Sequence, residues 1–242
     1  MQDMPFPFKM QILCFHSGKF HTSVILYRAM AYFPLFVNLK NKEVLVIGGG
    51  TVAFQEMATF LTFEPKITLV AAEVGQNLEV LIGAYSSQVS YIQKEPTLEL
   101  LQSLDCNPTL VIVTTENTAL NAEIYEYYRN KNVLVEDISS RSRCDFIFPA
   151  ILKRGDVVCG ISSSGKSPHV SQFIKTLIEG AIPQNISEIN EHMEEIRRAV
   201  RQSITDPAKR SRTLQTIFMR LIEDDNQTSD AEIDGIIADA EL

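Results

Sequence analysis

The amino-acid sequence predicts an α/β fold built on a parallel sheet, and three observations carry that expectation. Val44-Leu45-Val46-Ile47 is an unbroken apolar run of β-formers, the pattern of a strand covered on both faces. The run passes directly into Gly48-Gly49-Gly50-Thr51-Val52-Ala53, which has the spacing G-x-G-x-x-A. Beyond it, short apolar runs alternate with stretches of helical periodicity, the order that lays parallel strands side by side.

This glycine spacing between a strand and a helix is the dinucleotide fingerprint in a permitted variant, and it makes the expected sheet Rossmann-like. Gly48 makes the tight turn, Gly50 lets the backbone approach a pyrophosphate, and Ala53 lets the helix pack close to the strand. That helix runs from about Val52 to Phe63 and turns its N-terminal N–H groups toward the phosphates. Lys66 to Val70 forms the second strand. An acidic residue belongs at the end of this strand, where Ala72-Glu73 stands. Glu73 either reaches a ribose hydroxyl from the loop or is a surface charge. No arginine follows closely, which favours NAD over NADP.

Val89 to Ile92 reads as a short strand and Leu98 to Leu104 as a turn or two of helix. Leu110 to Val113 is another buried strand, ending in Thr114-Thr115. Thr118 to Asn130 carries Leu120, Ile124 and Tyr128 at helical spacing. Val133 to Val135 is the next strand and stops at Glu136-Asp137. Ligands of such sheets sit beyond the carboxyl ends of the strands, so the glycine loop, Thr114, Thr115 and Asp137 fall at one edge. Ile151-Leu152, Val157-Val158 and Gly160-Ile161 flank the turn Lys153-Arg154-Gly155-Asp156 as a hairpin.

Composition bounds the function. The 242 residues are 45% hydrophobic and 21% charged, which excludes a wholly disordered or collagen-like chain. No stretch approaches the roughly 20 apolar residues of a membrane span. Cys14, Cys106, Cys144 and Cys159 lack the C-x-x-C spacing of a zinc site, and reduced thiols in a cytoplasmic protein are expected. The net charge of −8 is local: eight of the 30 acids follow Arg220, the last base, so residues 1–222 hold 22 bases and 22 acids. A neutral body with an acidic tail gives no support to nucleic-acid binding. Such tails are usually solvated and mobile. Residues 1–29, with His16 and His21, read as an appended arm that is poorly ordered.

The stretch from Tyr32 to about Arg220 resembles the siroheme-synthase dehydrogenase family, comprising precorrin-2 dehydrogenases that in some members are also sirohydrochlorin ferrochelatases. The matching pieces are Phe33-Pro34-Leu35-Phe36-Val37-Asn38-Leu39, Val46 to Ala53, Val135-Glu136-Asp137, Phe146-Ile147-Phe148-Pro149-Ala150 and Gly160 to Pro168. No methyltransferase segment follows, so the expectation is the stand-alone form. The resemblance implies an NAD-binding Rossmann domain (30–149), a small dimerisation segment (150–182) and a helical C-terminal segment (183–222), followed by the acidic tail (223–242). It implies a homodimer that oxidises precorrin-2 to sirohydrochlorin with NAD and leaves Fe2+ insertion open. Asp137 aligns with the catalytic aspartate, Thr51-Val52 and Ala72-Glu73 with NAD-contacting positions, and Ser163 with a serine near the substrate.

The sequence departs from that pattern at Gln55-Glu56, where the family often has Arg-Lys, at Glu64-Pro65 in place of Gly-Ala, and at Ser164-Gly165 in place of Gly-Gly. The loop between Asp137 and Phe146 is slightly long. A shielded carboxylate at a strand end is a reasonable proton acceptor, and the alternative is that Asp137 caps the following turn. Glu136 should point the other way. The eight substrate carboxylates call for cations. Lys166, with Arg141 or Arg143, lies nearer the expected cleft than Arg197, Arg198, Arg201, Lys209, Arg210 and Arg212, which read better as a solvated face. His169 is a secondary proton carrier or a surface histidine. A non-catalytic NAD- or tetrapyrrole-binding module on the same fold is the alternative function.

Overall fold

The apolar run at Val44 becomes the central strand of a five-stranded parallel sheet in the computed structural model, which describes residues 32–241. Expectations for residues 1–29, including His16, His21 and Cys14, lie outside the described residues. From Pro34 onward the described chain forms one compact unit. Strand β1 (Glu43–Ile47) pairs with β2 (Lys66–Ala71) on one side and β4 (Leu110–Val113) on the other. Strands β3 (Val89–Gln93) and β5 (Leu134–Asp137) close the edges, giving the order β3-β2-β1-β4-β5. Val46 and Ile47 are wholly buried because helices cover both faces of the sheet.

Helix α1 (Thr51–Phe60) packs Ala53, Met57 and Phe60 onto one face with Val46, Leu69 and Ile112. A short 3-10 turn, Leu61–Phe63, ends it at Glu64, whose φ of +56° is left-handed. Patterning predicts no element between residues 72 and 88, yet helix α2 (Gln76–Ala84) lies there. Its signal was the i, i+3, i+4 set Leu78, Leu81 and Ile82, which joins the same apolar cluster. Helix α3 (Leu98–Ser103) is capped by Thr97, and α4 (Thr118–Arg129) by Asn117, whose side chain accepts from the Leu120 N–H. Ile124, Tyr125 and Tyr128 of α4 cover the opposite face against Val111, Val113 and Val135.

The hairpin has the expected turn. Strands β6 (Ala150–Arg154) and β7 (Val157–Ile161) pair antiparallel around Gly155. Arg154 donates to the carbonyls of Ile182, Pro183 and Glu179, which fastens the hairpin to the end of α5 (Pro168–Ala181). Helices α6 (Ile186–Ser203), α7 (Pro207–Glu223) and α8 (Asp230–Glu241) share one apolar cluster. The acidic tail is therefore not a solvated segment. Ile233 and Ile237, one turn apart on α8, are buried against α6 and α7, while Asp230, Glu232, Asp234 and Asp239 are exposed. Acids at Asp230 and Glu232 also suit the positive end of that helix. Among the described residues no helix is long and apolar enough to cross a membrane.

Candidate functional site

The carboxyl edge of the sheet starts at Gly48, whose φ of +112° is costly for any residue with a Cβ. A Cβ at Gly48 would also collide with the Thr114 side chain, and one at Gly49 with the carbonyl oxygen of Glu73. Gly50 differs: a Cβ there meets nothing within 4 Å among the described residues. The first two glycines are thus consumed by packing against the ends of β4 and β2, and the third faces open space. Gly50 caps α1 without any side-chain bond, so Thr51 and Val52 present the first helical N–H groups at the same opening. A pyrophosphate fits this cradle because the backbone is bare and the helix end is positive.

Ala72 is half-buried and Glu73 is exposed at the end of β2. The Tyr91 phenol beside them is pushed up by burial and then by the charges of Glu73 and Glu79. Lys94 enters the same neighbourhood from the end of β3, where its N–H donates to the Ala71 carbonyl at 3.1 Å. Strand pairing brings it there from far along the chain. Thr114 Oγ1 donates to the Ile47 carbonyl at 3.0 Å, and Thr115 Oγ1 donates to Asn121 Oδ1. Both hydroxyls therefore serve the scaffold of the edge.

Asp137 lies at the end of β5 with no exposed surface. Its Oδ1 accepts from the Ser139 N–H at 2.9 Å and hydroxyl at 2.6 Å, and its Oδ2 accepts from Arg143 Nε at 2.6 Å. The turn-cap geometry exists, and Arg143 adds an ion pair across the loop. Asn121, buried in the first turn of α4, completes the set at 3.4 Å from Oδ1. Patterning marks Arg143 as a substrate cation but gives no sign of its pairing with Asp137, because loop closure brings the two together. Arg141 of the same loop donates to the Gly165 carbonyl, which joins the loop after β5 to the serine loop. There Ser163 Oγ donates to the Ser167 carbonyl at 2.8 Å and accepts the Ser167 N–H at 3.0 Å, holding the start of α5. Lys166 is exposed on this loop, as is His169 at the start of α5. Arg197, Arg201 and Arg210 line a groove between α6 and α7 in the C-terminal bundle.

Glu136 points to the opposite face, as strand alternation requires. Its Oε1 accepts the Phe148 N–H at 2.9 Å, and Oε2 has no partner among the described residues. Glu56 of α1 is buried beside it with its own Oε2 unpartnered. Burial, reinforced by the Glu136 charge, raises the Glu56 carboxyl to about 8. Burial raises Glu136 to about 7, against the pull of the Phe148 N–H. A helix position with one turn of apolar neighbours gave no hint of this pair.

The edge defines a class of protein: an α/β domain with a glycine cradle of the kind that binds nicotinamide dinucleotides, joined to a hairpin and a helical bundle. A family model described as NAD(P)-binding matches residues 35–150. The siroheme synthase of Blochmanniella floridana is 34% identical over 177 residues, covering 73% of this chain and 37% of that protein. The siroheme synthase of Blochmanniella pennsylvanica (strain BPEN) is 32% identical over 189 residues, covering 78% and 38% respectively. Among solved structures, "SirC, precorrin-2 dehydrogenase" superposes with a TM-score of 0.61 at 24% identity, over 87% of this chain and 99% of that one, and shares the fold. The chain is thus similar to these siroheme synthases over 73% to 78% of its length, with the NAD(P)-binding match at its residues 35–150. It spans less than two-fifths of the length of these two siroheme synthases.

Proposed function

We propose that the chain oxidises precorrin-2 to sirohydrochlorin with NAD+, a step of siroheme biosynthesis. The observation that carries this reading is one sheet edge with a cradle open at Gly50 and, two strands away, the buried carboxylate Asp137. Gly50, Thr51 and Val52 hold the pyrophosphate through backbone N–H groups beside the turn at Gly48, whose own N–H donates to the Val70 carbonyl at 2.9 Å. Ala72 and Glu73 receive the adenosine ribose, and Thr114 and Thr115 form the floor. When bound, the nicotinamide accepts a hydride. The oxidation removes that hydride and one proton from the macrocycle, and Asp137 takes the proton. To do so Asp137 Oδ2 must lose Arg143, and a substrate carboxylate offers the guanidinium another anion. Lys166 and Ser163, on the loop tied to Arg141, meet the substrate from the other side. For Fe2+ insertion the tetrapyrrole nitrogens supply the ligands and Asp137 accepts the pyrrole protons.

NAD+ rather than NADP+ fits the end of β2, where Glu73 and Glu79 set a negative field against a 2′-phosphate. A homodimer fits α5, which exposes Val170, Phe173, Ile174 and Leu177 as one i, i+3, i+4, i+7 stripe. The stripe borders a two-stranded hairpin, a unit that is marginal without further packing. The second copy buries both.

A second reading has one observation in its favour: Asp137 is fully buried and ion-paired, as in a non-catalytic binding module. Turnover separates the two. Anaerobic incubation with precorrin-2 and NAD+, followed by absorbance, should show sirohydrochlorin forming with NADH; the assay is then repeated with sirohydrochlorin and Fe2+. Binding of dinucleotide and tetrapyrrole with no cofactor-dependent spectral change would establish the binding module instead.

A further inference from the structure

We propose that Asn121 is a positioning residue that couples the cofactor side of the sheet edge to Asp137, an inference that rests on the function proposed above. Asn121 has no exposed surface and stands between the carboxyl ends of β4 and β5. Its Oδ1 accepts the Thr115 hydroxyl, and its Nδ2 donates to the Thr115 carbonyl at 2.9 Å. A carbonyl only accepts, so the nitrogen must face it and the amide orientation is fixed. The same Nδ2 lies 3.2 Å from Ser139 Oγ and 3.4 Å from Asp137 Oδ1. Ser139 is itself the principal donor to that oxygen.

One buried amide thus grips the threonine at the end of β4 from both sides and reaches both members of the Asp137 turn. The strands pair in register there, Val113 opposite Asp137, so a displacement of Thr115 by a bound cofactor passes to the carboxylate through Asn121. Arg143 holds the other carboxylate oxygen, so among the described residues Asn121 and Ser139 fix the one left when Arg143 turns to substrate. Asn121 touches no reacting atom in this scheme. It sets where the acceptor oxygen stands.

The test uses the full chain and four variants: Asn121→Ala, Asn121→Asp, Asp137→Ala and the Asn121→Ala/Asp137→Ala double. Each is measured for Tm, NAD+ affinity, kcat, KM and the pH dependence of kcat. Asn121→Ala should lower kcat by about 10- to 100-fold, the cost of a displaced catalytic group. In the Asp137→Ala background the same change should cost almost nothing further, because coupled residues are non-additive. Asn121→Asp keeps the shape with an oxygen in place of the donor Nδ2, and should move the acidic limb of the pH profile upward, since a second carboxylate faces Asp137. Tm reports whether each variant is folded, and Asn121→Ala carries the rate test independently. Equal losses of kcat in both backgrounds, or an unmoved profile in Asn121→Asp, overturn the coupling. A near-normal rate in Asp137→Ala would instead overturn the assignment of Asp137 as base, a failure of the functional reading that is visible before Asn121 is touched.

Discussion

Glu56→Gln should stabilise the protein at alkaline pH and leave it unchanged at acid pH. Glu56 is a buried carboxyl whose second oxygen has no partner among the described residues and whose neighbour is the buried Glu136. Its folded-state value is about 8 against an ordinary 4.5, so the native state holds this proton more tightly than the unfolded chain does. The contribution to stability is complete below about pH 4.5 and is lost as pH rises through 8. Each tenfold change in proton affinity is worth about 1.36 kcal/mol, which sets a ceiling of about 4 to 5 kcal/mol on that loss. Glu136 shares the pocket and relaxes part of it, so a single substitution should recover about 2 to 3 kcal/mol at pH 8. For a chain of this size that corresponds to about 4 to 12 °C in Tm. Glutamine has the same shape without the charge, so both proteins should melt together at pH 5 and diverge steadily by pH 8. Thermal melts followed by circular dichroism from pH 5 to 9 measure this directly. Parallel curves for the two proteins would falsify the claim that Glu56 carries the pH dependence.

Gly50→Val should leave stability within about 0.5 kcal/mol, because its Cβ direction is empty, yet abolish dinucleotide binding measured by calorimetry; normal binding would remove Gly50 from the cradle. Gly49→Ala should instead lower Tm, since the new Cβ strikes the Glu73 carbonyl. Asp137→Asn should cut dehydrogenation by about 10²- to 10⁴-fold, the range of general-base catalysis. It should also lower Tm, since Arg143 loses its anion, so rate and not stability decides Asp137's role. Turnover should be faster with NAD+ than with NADP+, and Lys94→Glu should widen the gap; equal rates with both cofactors refute the charge argument at the end of β2. Phe173→Glu with Leu177→Glu should turn a dimer seen by light scattering into a monomer, and a parent protein that is already monomeric rules out the α5 interface.

The parallel strands, the glycine loop and the hairpin turn were legible in the residues alone. Each is specified by neighbours in sequence: Val44 to Ile47 by an apolar run, Gly48 to Ala53 by spacing, Gly155 by a turn between two β-forming runs. The sheet edge followed from topology, which is why Thr114, Thr115 and Asp137 fell in the expected place. What only the tertiary structure decided depends on contacts between distant segments. Strand order sets Thr114 under Gly48 and Lys94 beside Ala71. Closure of the loop after β5 pairs Arg143 with Asp137, and α4 slides Asn121 between the two strand ends. Packing of α1 on the sheet buries Glu56 within reach of the Glu136 charge, and docking of Ile233 and Ile237 turns an acidic tail into a helix of the bundle. Hydrophobic burial and desolvation are properties of an environment assembled by the whole chain, so a carboxylate's partner, and its proton, are decided only when the fold closes around it.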